Sequence, residues 1–421
     1  MFIPLSSPAR KACFGAGLLL LAALYLAAVG LDYAAFRYSQ QPNLASLNRA
    51  VRLSPWNASY WNRLGRALAF AQQEFGNAVP SLERATRLNP YSAPYWIDLA
   101  TAYQFSGQRS EQRDALEQAL RNDPRNPQLT WEAANYFFVL GEADRGLDLM
   151  RASLESQHDL LPRALDLALR VTNNDLDRIF RQVIPPRPLV HVLALRTLIS
   201  RSPEGADKAW SHLIALHQPF NAREVQPYLD NLYQRSRGAA LRQAWSDMTE
   251  RIPELARHRA SAENLLVNPG FELEVLNFGL DWRYAPHPGL LVQTDFSNLR
   301  SGTYSLLLRF DSQRITDTGF QQLVPVTPGA CYQFSGFMKT RSMEGASGLK
   351  FLVRDAHTGQ TYFASEGPLG THAWSESHGT FRTSDTTEFV RVSLGRTSNT
   401  IVRGEAWVDD LSLAPSARCG G

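Results

Sequence analysis

Residues 50–65 read AVRLSPWNASYWNRLG and residues 85–100 read ATRLNPYSAPYWIDLA. Outward from this pair, Leu47, Ala50, Leu53 and Pro55 recur as Leu82, Ala85, Leu88 and Pro90, and again as Leu116, Ala119, Asn122 and Pro124, at offsets of 35 and 34 residues. Trp61, Leu64, Gly65 and Leu68 recur as Trp96, Leu99, Ala100 and Tyr103, again 35 apart, and Gly107 and Gly141, each placed to turn between paired helices, are 34 apart. Several positions keep one register at once, which a lone Trp-x-x-Leu-Gly would not do. The residue types follow from packing. Small residues such as Gly65, Ala85, Ala100 and Ala119 let helices approach closely, leucines and aromatics fill the space between them, and each proline, lacking an N–H, ends one helix pair and starts the next.

A period of 34–35 residues with this content resembles the tetratricopeptide repeat. Its conspicuous residues are expected to be packing. A less faithful third repeat runs from Thr130 through Phe137 and Gly141 to Met150. From His158 to Arg259 leucine and alanine keep helical spacing without the register, in stretches such as PRALDLALRV and ADKAWSHLIALH, broken at Pro185-Pro186, Pro203 and Pro219. This predicts a degenerate extension of the solenoid. Such repeats bury a continuous spine and leave a curved surface on which protein partners dock.

Ahead of the repeats, Ala12–Leu31 is a charge-free run of 20 residues, enough at about 1.5 Å per residue to cross a bilayer's hydrocarbon core. Arg10 and Lys11 precede it and Asp32 follows, which fits a basic tail inside and the remainder outside, although Arg37, Arg49 and Arg52 weigh against that orientation. A cleaved signal peptide is the competing reading, with Leu26–Ala28 as its cleavage region and secretion as its outcome.

At Asn264 the texture changes. Tyr304, Leu306, Leu308 and Phe310 alternate, as do Leu349, Phe351 and Val353, and Val390, Val392 and Leu394, with Gly, Pro, Asn and Ser clusters between the runs. Period-two runs of this kind predict an antiparallel β-sandwich. NLLVNPGFE at Asn264–Glu272, Leu280-Asp281-Trp282, the SGTYSL run from Ser301, Val326-Thr327-Pro328-Gly329 and AWVDDLSL from Ala406 resemble jelly-roll carbohydrate-binding modules with a galactose-binding-like fold, across Asn264 to about Ala414.

The fold class expected is multidomain: an N-terminal transmembrane helix, an all-α repeat solenoid and a C-terminal all-β jelly-roll sandwich. The boundaries expected are a short basic cytoplasmic tail at 1–11, a signal-anchor helix at 12–33, repeats at 40–157, the degenerate helical extension at 158–262, the sandwich at 263–415 and a flexible tail at 416–421.

The resemblance implies that Trp282 and Trp374 are structural, and that Glu272, near the module's start, meets Asp409 or Asp410, near its end, where family members often hold a structural calcium by oxygen ligands. Solvated or ion-paired carboxylates are the alternative. For a sugar, alternation supplies the face. With Phe334, Phe351 and Val392 inward, Gln333, Phe337 and Lys339, then Lys350, Leu352 and Arg354, then Arg391 and Ser393 point outward. A ring stacks on pyranose C–H groups, and Lys339, Lys350, Arg354 and Arg391 favour an acidic polysaccharide. Solvated strand faces carry such cations for solubility as well.

The bulk chemistry excludes other classes. A net charge of +3 from 43 basic and 40 acidic residues offers no field for nucleic acid. Three cysteines rule out a disulfide-framework fold and a cysteine-based zinc site of the usual four-ligand kind, and leave open a Cys331–Cys419 bridge or two thiols. There is no G-x-S-x-G, no P-loop and no H-E-x-x-H, and the nine histidines are scattered. No enzyme is expected. The expectation is a bacterial inner-membrane protein with its bulk outside the cytoplasm, docking proteins and a glycan in surface polysaccharide assembly or export. The alternative is a purely structural interaction protein whose sandwich binds protein or caps the solenoid.

Overall fold

The computed structural model describes residues 7–419 and divides into two compact units, Met1–Pro185 and Pro186–Gly421. The ends of the expected tails, 1–6 and 420–421, lie outside the described residues.

The first unit opens with α1, Pro8–Ser39, whose start is capped by the Ser7 side chain accepting from Arg10 N at 3.3 Å. Its most apolar 18-residue window has a mean hydropathy of 2.3 and no residue buried by protein. The last two turns meet protein: Ala35 and Tyr38 pack with Leu47, Ala50 and Val51 of α2 (Leu44–Leu53) and with Tyr60 and Leu64 of α3 (Ala58–Arg66). The apolar helix therefore runs without a break into the first helical hairpin. A π turn at Ala67–Ala71 extends α3. There follow α4 (Phe75–Leu88), α5 (Ala93–Phe105), α6 (Arg109–Asn122), α7 (Pro127–Leu140), α8 (Ala143–Leu154), α9 (Leu161–Val171) and α10 (Leu176–Gln182).

The sequence register is visible as repeated geometry. Trp61 Nε1 donates to Pro55 O at 2.9 Å and Trp96 Nε1 to Pro90 O at 2.7 Å, so each repeat's tryptophan ties down the prolyl turn before it. Gly65 lies against Leu82, whose Cγ would stand 2.5 Å from an added Cβ, which is why that position is small. Gly141 ends α7 at φ 84°, a left-handed cap that glycine takes at no steric cost.

The second unit begins with α11 (Pro188–Ile199), α12 (Pro203–Ala215), α13 (Gln226–Gln234) and α14 (Gly238–Arg251). Among the described residues nine strands follow: β1 (Leu290–Asp295), β2 (Ser305–Arg314), β3 (Asp317–Pro325), β4 (Cys331–Glu344), β5 (Lys350–Asp355), β6 (Thr361–Ala364), β7 (Gly370–Arg382), β8 (Phe389–Gly395) and β9 (Ile401–Pro415). They pair antiparallel in two sheets, ordered β1-β2-β9-β4-β7 and β3-β8-β5-β6. The alternation holds: Leu306, Leu308, Phe334, Phe351, Val353, Val390 and Val392 share one buried core between the sheets. Trp282 is fully buried in that core, whereas Trp374 is half-buried on the edge strand β7, outside it. Cys331 and Cys419 are bridged, with Cα atoms 5.3 Å apart, reinforcing the β4–β9 pairing.

The stretch 264–289 holds no strand. Asn268 and Phe271 take left-handed φ of 50° and 57°, and the Asn268 amide exchanges two hydrogen bonds with Leu273, an irregular lead-in fixed by side chains. The helices are not strung ahead of the sandwich but packed on it, covering the outer face of β3 and β8. Tyr233 stacks on His357 at 4.6 Å and meets Phe389 edge-on at 5.2 Å, Arg242 donates to Pro325 O at 2.9 Å, and Gly238 N donates to Glu388 Oε2 at 3.1 Å.

Beneath this junction Asp281 is fully buried, accepting from Leu276 N at 2.7 Å, with His258 Nε2 4.0 Å away. Burial pushes its carboxyl up to about 6, against the backbone donors of Leu276 and Trp282 and the His258 ring, which pull it down. The folded state thus holds a proton that the unfolded chain releases near pH 4, so this group's contribution to stability falls as pH rises from about 4 through about 6. Urea midpoints across the window from about pH 4.5 to about pH 7 are expected to fall in the wild type and to flatten in Asp281→Asn. Equal slopes in both proteins would refute the assignment.

Candidate functional site

Strand β4 lies between β9 and β7, and from Gln333 to Arg341 its odd-numbered residues point away from the core. Across to β9, Phe337 faces Asp409, Lys339 faces Trp407 and Arg341 faces Glu405; across to β7, Phe337 faces Glu376 and Gln333 faces Thr380. At the centre the Arg300 guanidinium sits 4.5 Å from the Phe337 ring centroid, a cation–π contact. The neighbouring ring, Trp407, is buried under Lys339 and Arg341, at 5.6 and 5.1 Å, and its Nε1 donates to Asp295 Oδ2. Lys339 Nζ donates to Asn298 Oδ1 at 2.9 Å, and Glu405 accepts from both Arg309, at 2.8 Å, and Arg341. Burial works to raise Asp295, but hydrogen bonds from Asn298, Ser297 and Trp407 outweigh it and hold the carboxyl below the usual range. The loop after β1 thus lies across this face and supplies Asn298 and Arg300 to it.

The six expected sugar-contacting residues do not share one surface. Gln333, Phe337 and Lys339 stand on the five-stranded sheet, while Lys350, Arg354 and Arg391 stand on the four-stranded sheet, on the opposite side of the sandwich. Alternation assigns each side chain to the inside or the outside of its strand; it carries no information on which sheet the strand joins. Arg391 is half-buried beside α13, lining a small cavity of about 100 Å³ with Asp230, Tyr233 and Gln321. Arg341 has the same parity as Phe337 and Lys339, and extending the alternation by one step finds it. Arg300 sits in an irregular loop and leaves no periodic signal.

The three acidic residues do gather: a Cβ added to Gly270 would lie 3.7 Å from Asp409 Oδ1, 3.9 Å from Asp410 Oδ1 and 3.9 Å from Glu272 Cγ. Their surroundings are donors. Glu272 Oε1 accepts from Thr303 N and Tyr304 N, Asp409 Oδ2 from Arg300 N and Ser301 N, Asp409 Oδ1 from Asp410 N, and Asp410 Oδ1 from Ser301 Oγ. Burial raises Asp409 despite those three backbone donors. N–H groups aimed at carboxylate oxygens stabilise the anions themselves, which is poor preparation for a hard cation, and among the described residues no group of three or more His, Cys, Asp or Glu is arranged to hold a metal ion. The arrangement clasps the Arg300–Tyr304 loop to β9 and so positions Arg300 over Phe337.

In the first unit, Arg66, Asp98 and Glu132 come from alternate helices α3, α5 and α7 and line a depression of about 480 Å³ with Phe70 and Tyr136. Asn62 Nδ2 donates to Asp98 Oδ2 at 2.9 Å, Arg66 pairs with Asp98 at 3.3 Å, and the Thr101 and Tyr136 hydroxyls are 2.6 Å apart. Burial raises Asp98 in spite of these partners, and burial followed by the nearby Asp98 charge raises Glu132. This polar floor in a concave helical surface suits a peptide segment bearing hydrogen-bond donors.

The family model described as tetratricopeptide repeat matches residues 58–92 and 93–126, the segments carrying Trp61 and Trp96. No curated protein matches the chain. Among solved structures the chain is similar to one described as "CBM4 structure and function", at 18% identity over 36% of this chain and 99% of that one, with a TM-score of 0.28. It is similar also to the CBM22-1 xylan-binding domain from Paenibacillus barcinonensis Xyn10C, at 17% identity, 37% and 97% coverage and a TM-score of 0.27. MamA is matched at 13% identity over 41% of this chain and 85% of that one, with a TM-score of 0.30. Residues 58–126 are therefore tetratricopeptide repeats, and the C-terminal two-sheet antiparallel sandwich is similar in structure to the carbohydrate-binding modules just named. Likenesses of this order leave the ligand to the residues above.

Proposed function

We propose that this chain is a membrane-anchored, non-catalytic scaffold of the bacterial cell envelope, whose repeats hold protein partners and whose sandwich holds a glycan, in surface or exopolysaccharide assembly or export. The observation that carries the glycan reading is the Phe337 ring with Arg300 above it and Lys339 beside it. The ring offers a stacking plane. Arg300 and Lys339 rest on a ring and an amide rather than on carboxylates, which leaves their charge for an acidic sugar. The apolar α1 supports the anchor and the Cys331–Cys419 bridge supports an oxidising compartment outside the cytoplasm. Full-length protein in detergent, applied to an array of uronate-containing and neutral polysaccharides, tests this. Phe337→Ala and Arg300→Ala are each expected to weaken binding by about tenfold, as loss of roughly 1.4 kcal/mol implies, while Arg354→Ala, on the opposite sheet, leaves it unchanged. Binding indifferent to Phe337, or absent for every polysaccharide, would sink the glycan reading.

A second reading has its own observation. The packing of α13 and α14 on β3 and β8 supports a sandwich that serves the helices as a structural cap. Crosslinking in intact cells separates the two, because a pure cap leaves partner capture intact when Phe337 and Arg300 are both replaced and shows no glycan in the adducts.

A further inference from the structure

The end of α1 and the whole of α2 form an antiparallel hairpin joined at Gln40–Asn43, with Ala35 packed on Leu47 and Ala50, the Arg49 guanidinium 5.6 Å from the Tyr38 ring, and Arg63 Nη1 donating to Ser39 O at 3.0 Å. Ten residues of α2 descend about 15 Å alongside α1. The turn Ser54–Asn57 is thereby brought level with the end of the charge-free run at Leu31, where α1 would leave a bilayer. Each later pair repeats the same up-and-down order, so the turns Asn89–Ser92 and Asp123–Asn126 fall on the same edge of the stack as Ser54–Asn57. The turns at Gln72–Glu74 and Ser106–Gln108 fall on the other.

That lower edge has an unusual composition. Trp56 is 65% exposed and Tyr91 83% exposed at equivalent positions of two successive turns, and the exposed Arg125 occupies the third. Four residues before each stands an exposed arginine in a helix's last turn: Arg52, Arg87 and Arg121. The turns are stiff, since Trp61 and Trp96 fix Pro55 and Pro90 by hydrogen bonds. Solvent gives no reason to present large rings in register with a row of guanidinium groups. A bilayer interface does, because amphipathic rings settle at headgroup depth and arginine pairs with lipid phosphate.

We propose that this edge of the solenoid is a second membrane contact, with Trp56 and Tyr91 seated in the interfacial layer and Arg52, Arg87 and Arg121 on the phosphates of anionic lipid. It rests on the reading of α1 as a membrane anchor. The repeats are then held edge-on to the bilayer, with the concave surface at Asp98 and Glu132 opening along the membrane plane.

The test uses full-length protein in a Cys13→Ser background, labelled under non-reducing conditions with bimane at single cysteines replacing Leu20, Trp56, Tyr91 or Gln108, and reconstituted in phosphatidylcholine vesicles with or without phosphatidylglycerol. The quenchers are two lipids, one carrying a nitroxide at the headgroup or shallow acyl position, read for the labels at 56, 91 and 108, and one carrying it deep in the acyl chain, read for the label at 20. Labels at 20, 56 and 91 are expected to be quenched, the last two at least about twofold more than the label at 108 on the opposite edge. Phosphatidylglycerol is expected to deepen quenching at 91, and joint replacement of Arg52, Arg87 and Arg121 by Gln to abolish that gain. Quenching at 20 without quenching at 56 and 91, or equal quenching at 56 and 108, overturns the edge contact and leaves the anchor standing. No quenching at 20 overturns the anchor itself and the edge with it.

Discussion

Replacing Trp282 by alanine is expected to cost the second unit about 3–5 kcal/mol, the range for truncating a large buried aromatic, and to lower its melting temperature by roughly 10 °C. The indole is fully buried, stacked on Phe320 at 5.0 Å and 20°, in contact with Phe271 at 5.5 Å, and donates its N–H to Asn268 O at 3.0 Å. Its loss opens a cavity at the wall of the core and strands a buried carbonyl in the very turn that holds Asn268 at positive φ. The lead-in 264–289 holds no strand and its Asn268–Leu273 turn closes over this ring, so that turn should loosen first. Near-UV circular dichroism across a thermal melt reads the effect, with the repeats' own transition as an internal reference. A shift below about 3 °C would mean that the lead-in is held by something other than this ring.

The second large effect concerns where the sandwich begins. Although its first recognisable residues are at Asn264, a chain cut there is expected to populate an aggregated or molten form, whereas Pro186–Gly421 is expected to melt cooperatively. Removing α13 and α14 uncovers Phe389, which is fully buried, together with Phe278 and Leu280, each worth about 1.5–3 kcal/mol of lost burial. It also leaves the backbone around Ala356 and Pro325 without the Tyr233 hydroxyl and the Arg242 guanidinium. Gly279 makes the contact tight: an added Cβ would stand 1.9 Å from Trp245 Cζ3, so helix and lead-in are fitted to each other at the level of one methyl group. Size-exclusion profiles and dye binding to the two fragments decide the matter. A monomeric, cooperatively melting 264–421 fragment would show that the helices merely rest on the sheet.

What could be read beforehand, and what could not, divides by range of interaction. Helical hairpins are built from neighbours in sequence, so Trp61 against Pro55, or Gly65 against Leu82, leave a periodic trace that a count of residues recovers. Alternation likewise separated Phe334 and Phe351 from Phe337 and Lys339, because the two faces of a strand differ in what they touch. Pairing between distant strands leaves no such trace. β4 bonds to β9 across four intervening strands' worth of sequence, and nothing local in Lys350 or Arg391 tells that their strands lie in the other sheet. The covering of β8 by Tyr233 was illegible for the same reason, since an aromatic on an amphipathic helix looks alike whether it meets another helix or a sheet. Arg300 was missed because a loop has no period to violate.

The two prolyl turns tied by Trp61 and Trp96 have a further consequence for how such a chain changes length. Since each of these two turns is closed by an indole that lies six positions after its own proline, both joints are self-contained and closed in the same way. A unit of 35 residues cut at one such joint and pasted at the other meets the same indole-to-carbonyl closure it left. The repeats can therefore be gained or lost in whole numbers, as links in a chain are, while any other length puts an indole where no carbonyl waits for it.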